Sequence, residues 1–151
     1  MSVENMWPEK VEYAISIPTK AVVFGTQIPF DITLVPLLKG LTIGTVICAL
    51  KEIHTLACPQ RTSTKVETRH VLTQTFDSGK MEEGMAVGED LGRWTMHDVV
   101  KLPKSLNSCV QDCEIPSIKI RHKLKFTVQL HNPDGHMSEV SSSPHAVNLL
   151  C

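Results

Sequence analysis

Cys109-Val110-Gln111-Asp112-Cys113, followed by His122 and His131, brings together the thiolate and imidazole donors that a zinc ion prefers. Whether they can meet depends on the backbone between them. Along an extended strand, four residues span about 13 Å, too far for two sulfurs to share one ion, whereas a turn lets them converge. The pair stands beside an extended segment, and His122 falls on the apolar face of an alternating run, which suits a hydrogen-bonded core histidine. The expectation is no bound metal and no cofactor, with a zinc-binding protein using Cys109 and Cys113 as the alternative.

The other catalytic signatures are absent from the sequence: no Gly-x-Ser-x-Gly, no Gly-x-x-x-x-Gly-Lys, no Gly-x-Gly-x-x-Gly and no His-Glu-x-x-His. Seven histidines and five cysteines supply nucleophiles and bases, but none stands in a spacing that defines an active site. The chain is expected not to be an enzyme. Lys119, Arg121, Lys123 and Lys125 are the stronger candidate, as an interaction surface. Alternate residues of a strand lie about 6.6 Å apart, inside a Debye length of about 8 Å, so the four cations repel one another. An acidic or phosphorylated peptide, anionic lipid headgroups or the acidic edge of a neighbouring domain would relieve that repulsion. A solvated face balanced by Glu114 and Glu139 is the alternative.

The elements that must hold these residues are strands. Valine, isoleucine and threonine make up a quarter of the chain, and nine prolines and eight glycines punctuate it. Val11, Tyr13, Ile15 and Ile17 share one face, as do Ile28, Phe30, Ile32 and Leu34. The stretch from Leu41 to Leu56 also fits helical spacing, but its β-branched residues, with Gly40 and Gly44, favour a strand. Val66, Thr68, His70, Leu72 and Phe76 alternate next. The cleanest run is Ile118, Ile120, His122, Leu124, Phe126, Val128 and Leu130, with the basic ladder on its opposite face. It enters Asn132-Pro133-Asp134-Gly135, which is hairpin chemistry, and 136–140 should return antiparallel. About seven short strands point to an antiparallel sandwich. The expected division is a lead-in at 1–10, one domain at 11–140 with a long acidic, glycine-rich loop at 77–92, and a tail at 141–151.

Size and charge narrow the class further. With 151 residues the chain makes one domain, large enough to fold without a disulfide framework or a structural metal. A formal net charge of −1 gives no general attraction to nucleic acid, so no nucleic-acid partner is expected. Five cysteines, an odd number, and a charged N-terminus fit a reducing compartment and a cytoplasmic location. The most apolar stretch, Leu41–Leu50, is half the length needed to cross a bilayer as a helix, about 20 residues.

Several of these segments carry a resemblance. Ile17-Pro18 with Ala21-Val22-Val23-Phe24-Gly25, then Ile28-Pro29-Phe30-Asp31 and Pro36-Leu37-Leu38-Lys39-Gly40-Leu41, resemble the opening of the arrestin C-terminal domain of fungal α-arrestins. Ile118 to Phe126 running into Gln129-Leu130-His131-Asn132-Pro133-Asp134-Gly135-His136 is a longer match. The resemblance covers Val11 to Glu139 and is closest to the HECT-type ubiquitin ligase-interacting proteins of filamentous fungi, the CreD-like group. It implies an immunoglobulin-like β-sandwich and a non-enzymatic adaptor that links a HECT-type ubiquitin ligase to membrane transporters for ubiquitination and endocytosis, with a role in carbon catabolite repression. The implied partners are the ligase, transporter tails, an arrestin N-terminal domain and anionic membrane, and the implied place is the cytoplasm, peripherally at the plasma membrane or endosomes. Two features depart from the family pattern. Tyr13, the only tyrosine, follows Lys10-Val11-Glu12, so the sequence holds no Pro-Pro-x-Tyr motif for a ligase's WW domains. After Glu139 the residues diverge, so the sandwich is expected to lack its closing strand. A generic β-sandwich interaction module, or an inactive fragment, is the alternative function.

Overall fold

A computed structural model describes residues 2–7, 10–18, 21–23, 25–58, 60, 63–84, 92–105, 109–142 and 145–150. Among them the backbone forms twelve strands and one 3-10 turn, Ser78–Lys80. The strands are β1 (Ser2–Trp7), β2 (Val11–Ser16), β3 (Ala21–Val23), β4 (Gln27–Pro36), β5 (Thr42–Ala57), β6 (Thr64–Phe76), β7 (Glu82–Gly84), β8 (Arg93–Lys101), β9 (Cys113–Ile115), β10 (Ile118–His131), β11 (Met137–Ser141) and β12 (His145–Leu150). One sheet runs β1-β2-β4-β8-β7 and the other β3-β12-β10-β5-β6, with β9 and β11 also paired to β10. Among the described strands, only β3 and β12 pair in parallel. This is the all-β sandwich that the alternation predicts, and the ambiguous stretch after Leu41 is strand throughout β5.

Alternation sets the core. Phe30, Ile32 and Leu34 of β4 are buried against Leu124, Phe126 and Val128 of β10 and Leu50 of β5, while the residues between them are partly exposed. The Phe30 ring lies 5.0 Å from the rings of both Phe76 and Phe126, so three aromatics from three strands tie the sheets together. Each such ring contributes about 1.5–3 kcal/mol through burial.

Strand β10 is the spine of the larger sheet. One edge pairs with β5 along its length, from Ile118↔Leu56 to His131↔Thr42. The other edge is shared: β9 takes 118–120, β12 takes 122–124 and β11 takes 127–131. Between β12 and β11, Ser142 satisfies Phe126 twice, its N–H donating to the Phe126 carbonyl (2.9 Å) and its Oγ accepting from the Phe126 N–H (3.2 Å). The β10–β11 hairpin turns as its sequence predicts, with Gly135 at φ 89° and its N–H donating to the Asn132 carbonyl.

Three segments differ from expectation. Residues 2–7 of the lead-in form β1, which pairs with β2 from Ser2↔Ser16 to Trp7↔Val11. Within the acidic loop, Glu82–Gly84 adds β7 to the edge of β8, and Met81 packs on the core, so its polarity hides a short anchored piece; 85–91 lie outside the described residues. The tail supplies β12, which lies between β10 and β3 with Val147 and Leu149 buried, so this stretch of β10's edge is not left open. Its apolar residues alternate as a strand requires, and burying them outweighs the irregularity of the preceding serine run.

Candidate functional site

A row of side chains crosses four strands on the inner face of the larger sheet. Glu52 of β5 stands opposite His122 of β10 and opposite Arg69 of β6, and His122 in turn stands opposite Val147 of β12. A bulge makes the arrangement. Leu50 pairs with Leu72, but Lys51 pairs with His70, so Val71 is the extra residue. In unbroken register His70 would face Glu52, and the one-residue slip brings Arg69 there instead. Residues 109–112 lie over this end of the sheet, fastened by two bonds to β12: the Asp112 N–H donates to the Leu149 carbonyl (2.9 Å), and the Leu149 N–H donates to Asp112 Oδ1 (3.2 Å).

The result is a buried cluster around one carboxylate. Glu52 is fully buried, and its Oε1 lies 2.5 Å from His54 Nε2 and 3.2 Å from an Arg69 nitrogen. Its Oε2 accepts from the Val110 N–H at 2.8 Å and lies 3.1 Å from His122 Nε2. His122 Nδ1 lies 2.5 Å from Asp112 Oδ1, and Cys109 Sγ is 3.5 Å from His122 Nε2. Burial on its own would raise the Glu52 carboxyl, but the bonds from His54, Val110 and His122 and the Arg69 charge outweigh it and bring the group down from 4.5 to about 2. Burial, followed by the nearby Glu52 charge, pushes the Cys109 thiol up to about 12. Cys109 is thus not an activated nucleophile, since the thiolate is the attacking species.

His122 occupies the core position that its alternation predicts, but its partners were not legible. Glu52 did carry a signal: an acid in the buried phase of Val46, Cys48, Leu50 and His54 must be paired. Cys113 stands apart. Among the described residues, the one grouping able to hold a metal contains Cys109 with Glu52 and His122, whereas Cys113 lines a surface depression of about 240 Å³ with Glu114, Arg121 and Asn148. Cys113, the second cysteine of the zinc alternative, lies outside that grouping.

The basic ladder lies on the opposite, outer face of the same strands, and it is divided. Arg121 turns to β9, bonding the Glu114 carboxylate and lying 3.9 Å from Asp112 Oδ2. Lys119 and Lys123 are exposed and Lys125 is half-buried. Lys51, absent from the sequence candidates, stands directly opposite Lys123. With Ile53, Thr68 and Lys125 they line a depression of about 260 Å³. No ion pair among the described residues engages Lys51, Lys119, Lys123 or Lys125. Like charges directly opposite on paired strands are destabilising. An anion bound in the depression would offset that repulsion.

Two kinds of likeness, to a family model and to curated relatives, place the chain among known proteins. Residues 7–145 match the family model described as arrestin (or S-antigen), C-terminal domain. The chain is 45% identical over 148 residues to a protein of Aspergillus oryzae named probable HECT-type ubiquitin ligase-interacting protein creD, covering 95% of this chain and 25% of that relative. The HECT-type ubiquitin ligase-interacting protein creD of Emericella nidulans gives the same identity and coverage, and a relative in Aspergillus fumigatus is 46% identical. The chain thus spans about a quarter of the length of the curated relatives it matches. Among solved structures, the sporulation control protein Spo0M of Bacillus subtilis aligns with a TM-score of 0.45 and 10% identity, over 94% of this chain and 50% of that one.

Proposed function

The chain belongs to the arrestin C-terminal domain family, and from that premise we propose that it is a non-enzymatic adaptor domain joining a HECT-type ubiquitin ligase to membrane transporters. The observation that carries this reading is the 45% identity, over 95% of the chain, to proteins named for their interaction with HECT-type ligases. In this role it promotes transporter ubiquitination and endocytosis and takes part in carbon catabolite repression. It works in the cytoplasm, peripherally at the plasma membrane or endosomes.

Within that task, the face formed by Lys119, Lys123 and Lys125, joined by Lys51, is assigned to the transporter. With Tyr13 as its only tyrosine, the sequence has no Pro-Pro-x-Tyr motif to give a WW domain. Clustered, unpaired lysines suit an acidic or phosphorylated cytoplasmic tail, because hydrogen bonds between ionised groups are roughly twice as strong as neutral ones. Arg121, already engaged by Glu114, belongs to the support of this face.

Reversing two charges, Lys123→Glu with Lys125→Glu, tests the assignment. Both side chains lie on the outer face, so circular dichroism and the melting transition should match the parent. Affinity for an acidic transporter-tail peptide should fall about tenfold or more at 0.15 M salt, with the difference shrinking as salt rises. A folded double variant that binds the peptide as the parent does would remove this face from the transporter contact. Loss of binding to anionic vesicles or to an isolated arrestin N-terminal domain, with peptide binding unchanged, would reassign it.

A further inference from the structure

We propose that Glu52, Cys109 and His122 form a zinc-binding site, inside the domain and independent of the basic face. The three residues are buried, and one donor atom from each lies within 4.8 Å of the other two. Zinc bonds of about 2.0–2.3 Å at tetrahedral angles put donor atoms about 3.3–3.6 Å apart. His122 Nε2 is 3.1 Å from Glu52 Oε2 and 3.5 Å from Cys109 Sγ, close to that spacing without rearranging the backbone. One sulfur, one imidazole nitrogen and one carboxylate oxygen make a mixed set suited to Zn²⁺, whereas magnesium and calcium prefer oxygen alone. Three protein donors leave the fourth position to water.

The surroundings are those of a metal-binding histidine. Asp112 holds Nδ1 at 2.5 Å and is itself held by the Leu149 N–H, so the ring is oriented with Nε2 towards Glu52 and Cys109. Both ring nitrogens therefore face carboxylate oxygens, which in their ionised form only accept. Oε1 of Glu52 is held by His54 and Arg69, and Oε2, which accepts from the Val110 N–H, is the oxygen that faces His122 Nε2.

Charge also closes. Binding takes the proton from Cys109 and releases it to solvent, leaving a thiolate on the metal. Glu52, Asp112, Glu114 and the thiolate then balance Zn²⁺, Arg69 and Arg121, all joined through the contacts above. The site links β5, β10 and the 109–112 segment, so zinc would lock that segment, and through Asp112 also β12, onto the sheet.

Cobalt(II) and zinc titrations of the metal-free chain test this. Cobalt should bind at one per chain, with cysteine-to-cobalt charge-transfer absorption in the near ultraviolet and visible bands of tetrahedral strength. Zinc should displace it and raise the melting temperature by about 5–10 °C at a hundredfold excess over Kd. Cys109→Ala should lose the charge-transfer band. Asp112→Asn, which can still accept from the Leu149 N–H, should weaken zinc 10–100-fold, the usual effect of losing an outer partner. Cys58→Ser and Cys113→Ser should change neither. Absence of a charge-transfer band, or a band that disappears with Cys113 rather than Cys109, would overturn the proposal and leave the cluster an ion network alone.

Discussion

Replacing Glu52 with alanine is expected to lower the unfolding free energy by about 3–5 kcal/mol, the usual cost of removing one partner from a buried charged cluster. The loss is large because of what stays behind. His122 remains fully buried with only the Cys109 sulfur beside Nε2, the Val110 N–H loses its acceptor, and Arg69 and His54 lose the carboxylate they share. Glu52→Gln keeps an oxygen for Val110 and should cost less, about 1.5–3 kcal/mol. Acid reveals the same cluster. The folded-state carboxyl lies at about 2 against an ordinary 4.5, so its stabilisation is complete above pH 4.5 and is lost as pH falls towards 2. The amount at stake is roughly 3 kcal/mol. Urea unfolding between pH 7 and 3, with a chelator present so that no bound ion contributes, should show the parent falling more steeply than Glu52→Gln below pH 4.5. Parallel curves for the two proteins would show that Glu52 is not held as the geometry describes.

The sequence made the strands legible wherever one face is apolar for several alternate positions, as in β2, β4 and β10, because period-two alternation reports burial directly. It did not reveal the cluster. Arg69 reaches Glu52 only through the bulge at Val71, and register is a long-range property that no local pattern encodes. Cys109 was visible as a possible ligand, but its partners come from β5 and β10, 57 and 13 residues away, rather than from Cys113. The basic ladder lies on the outer face of β10, yet β9 draws Arg121 out of it and β5 adds Lys51, both by pairing across strands. The tail was misjudged for another reason. Val147 and Leu149 are only two apolar positions, too short a period to stand out beside Ser141-Ser142-Ser143-Pro144, and their burial depends on a gap along β10 that sequence does not display.

Deleting residues 141–151 is therefore expected to abolish cooperative folding rather than trim a loose end. The deletion removes Val147 and Leu149 from the core, the Ser142 bonds to Phe126, and the Leu149 bonds that fasten Asp112 over His122. A buried leucine cut to alanine alone costs about 2–5 kcal/mol. Losing both side chains and an interior strand approaches the whole stability of a domain, about 5–15 kcal/mol. β3 also loses its neighbour, and the 122–124 stretch of β10 is left as an open edge. Two point variants separate a packed strand from a passive tail without relying on a chain that fails to fold. Leu149→Ala, on the buried phase, should cost about 2–5 kcal/mol, while Leu150→Ser, at a position 48% exposed, should stay within about 0.5 kcal/mol. Urea midpoints measure both. If the two variants unfold alike, or the deletion retains a sharp transition near that of the parent, the segment does not pack as β12; if Leu149→Ala alone falls, the alternation of this short strand is the feature that closes the sheet.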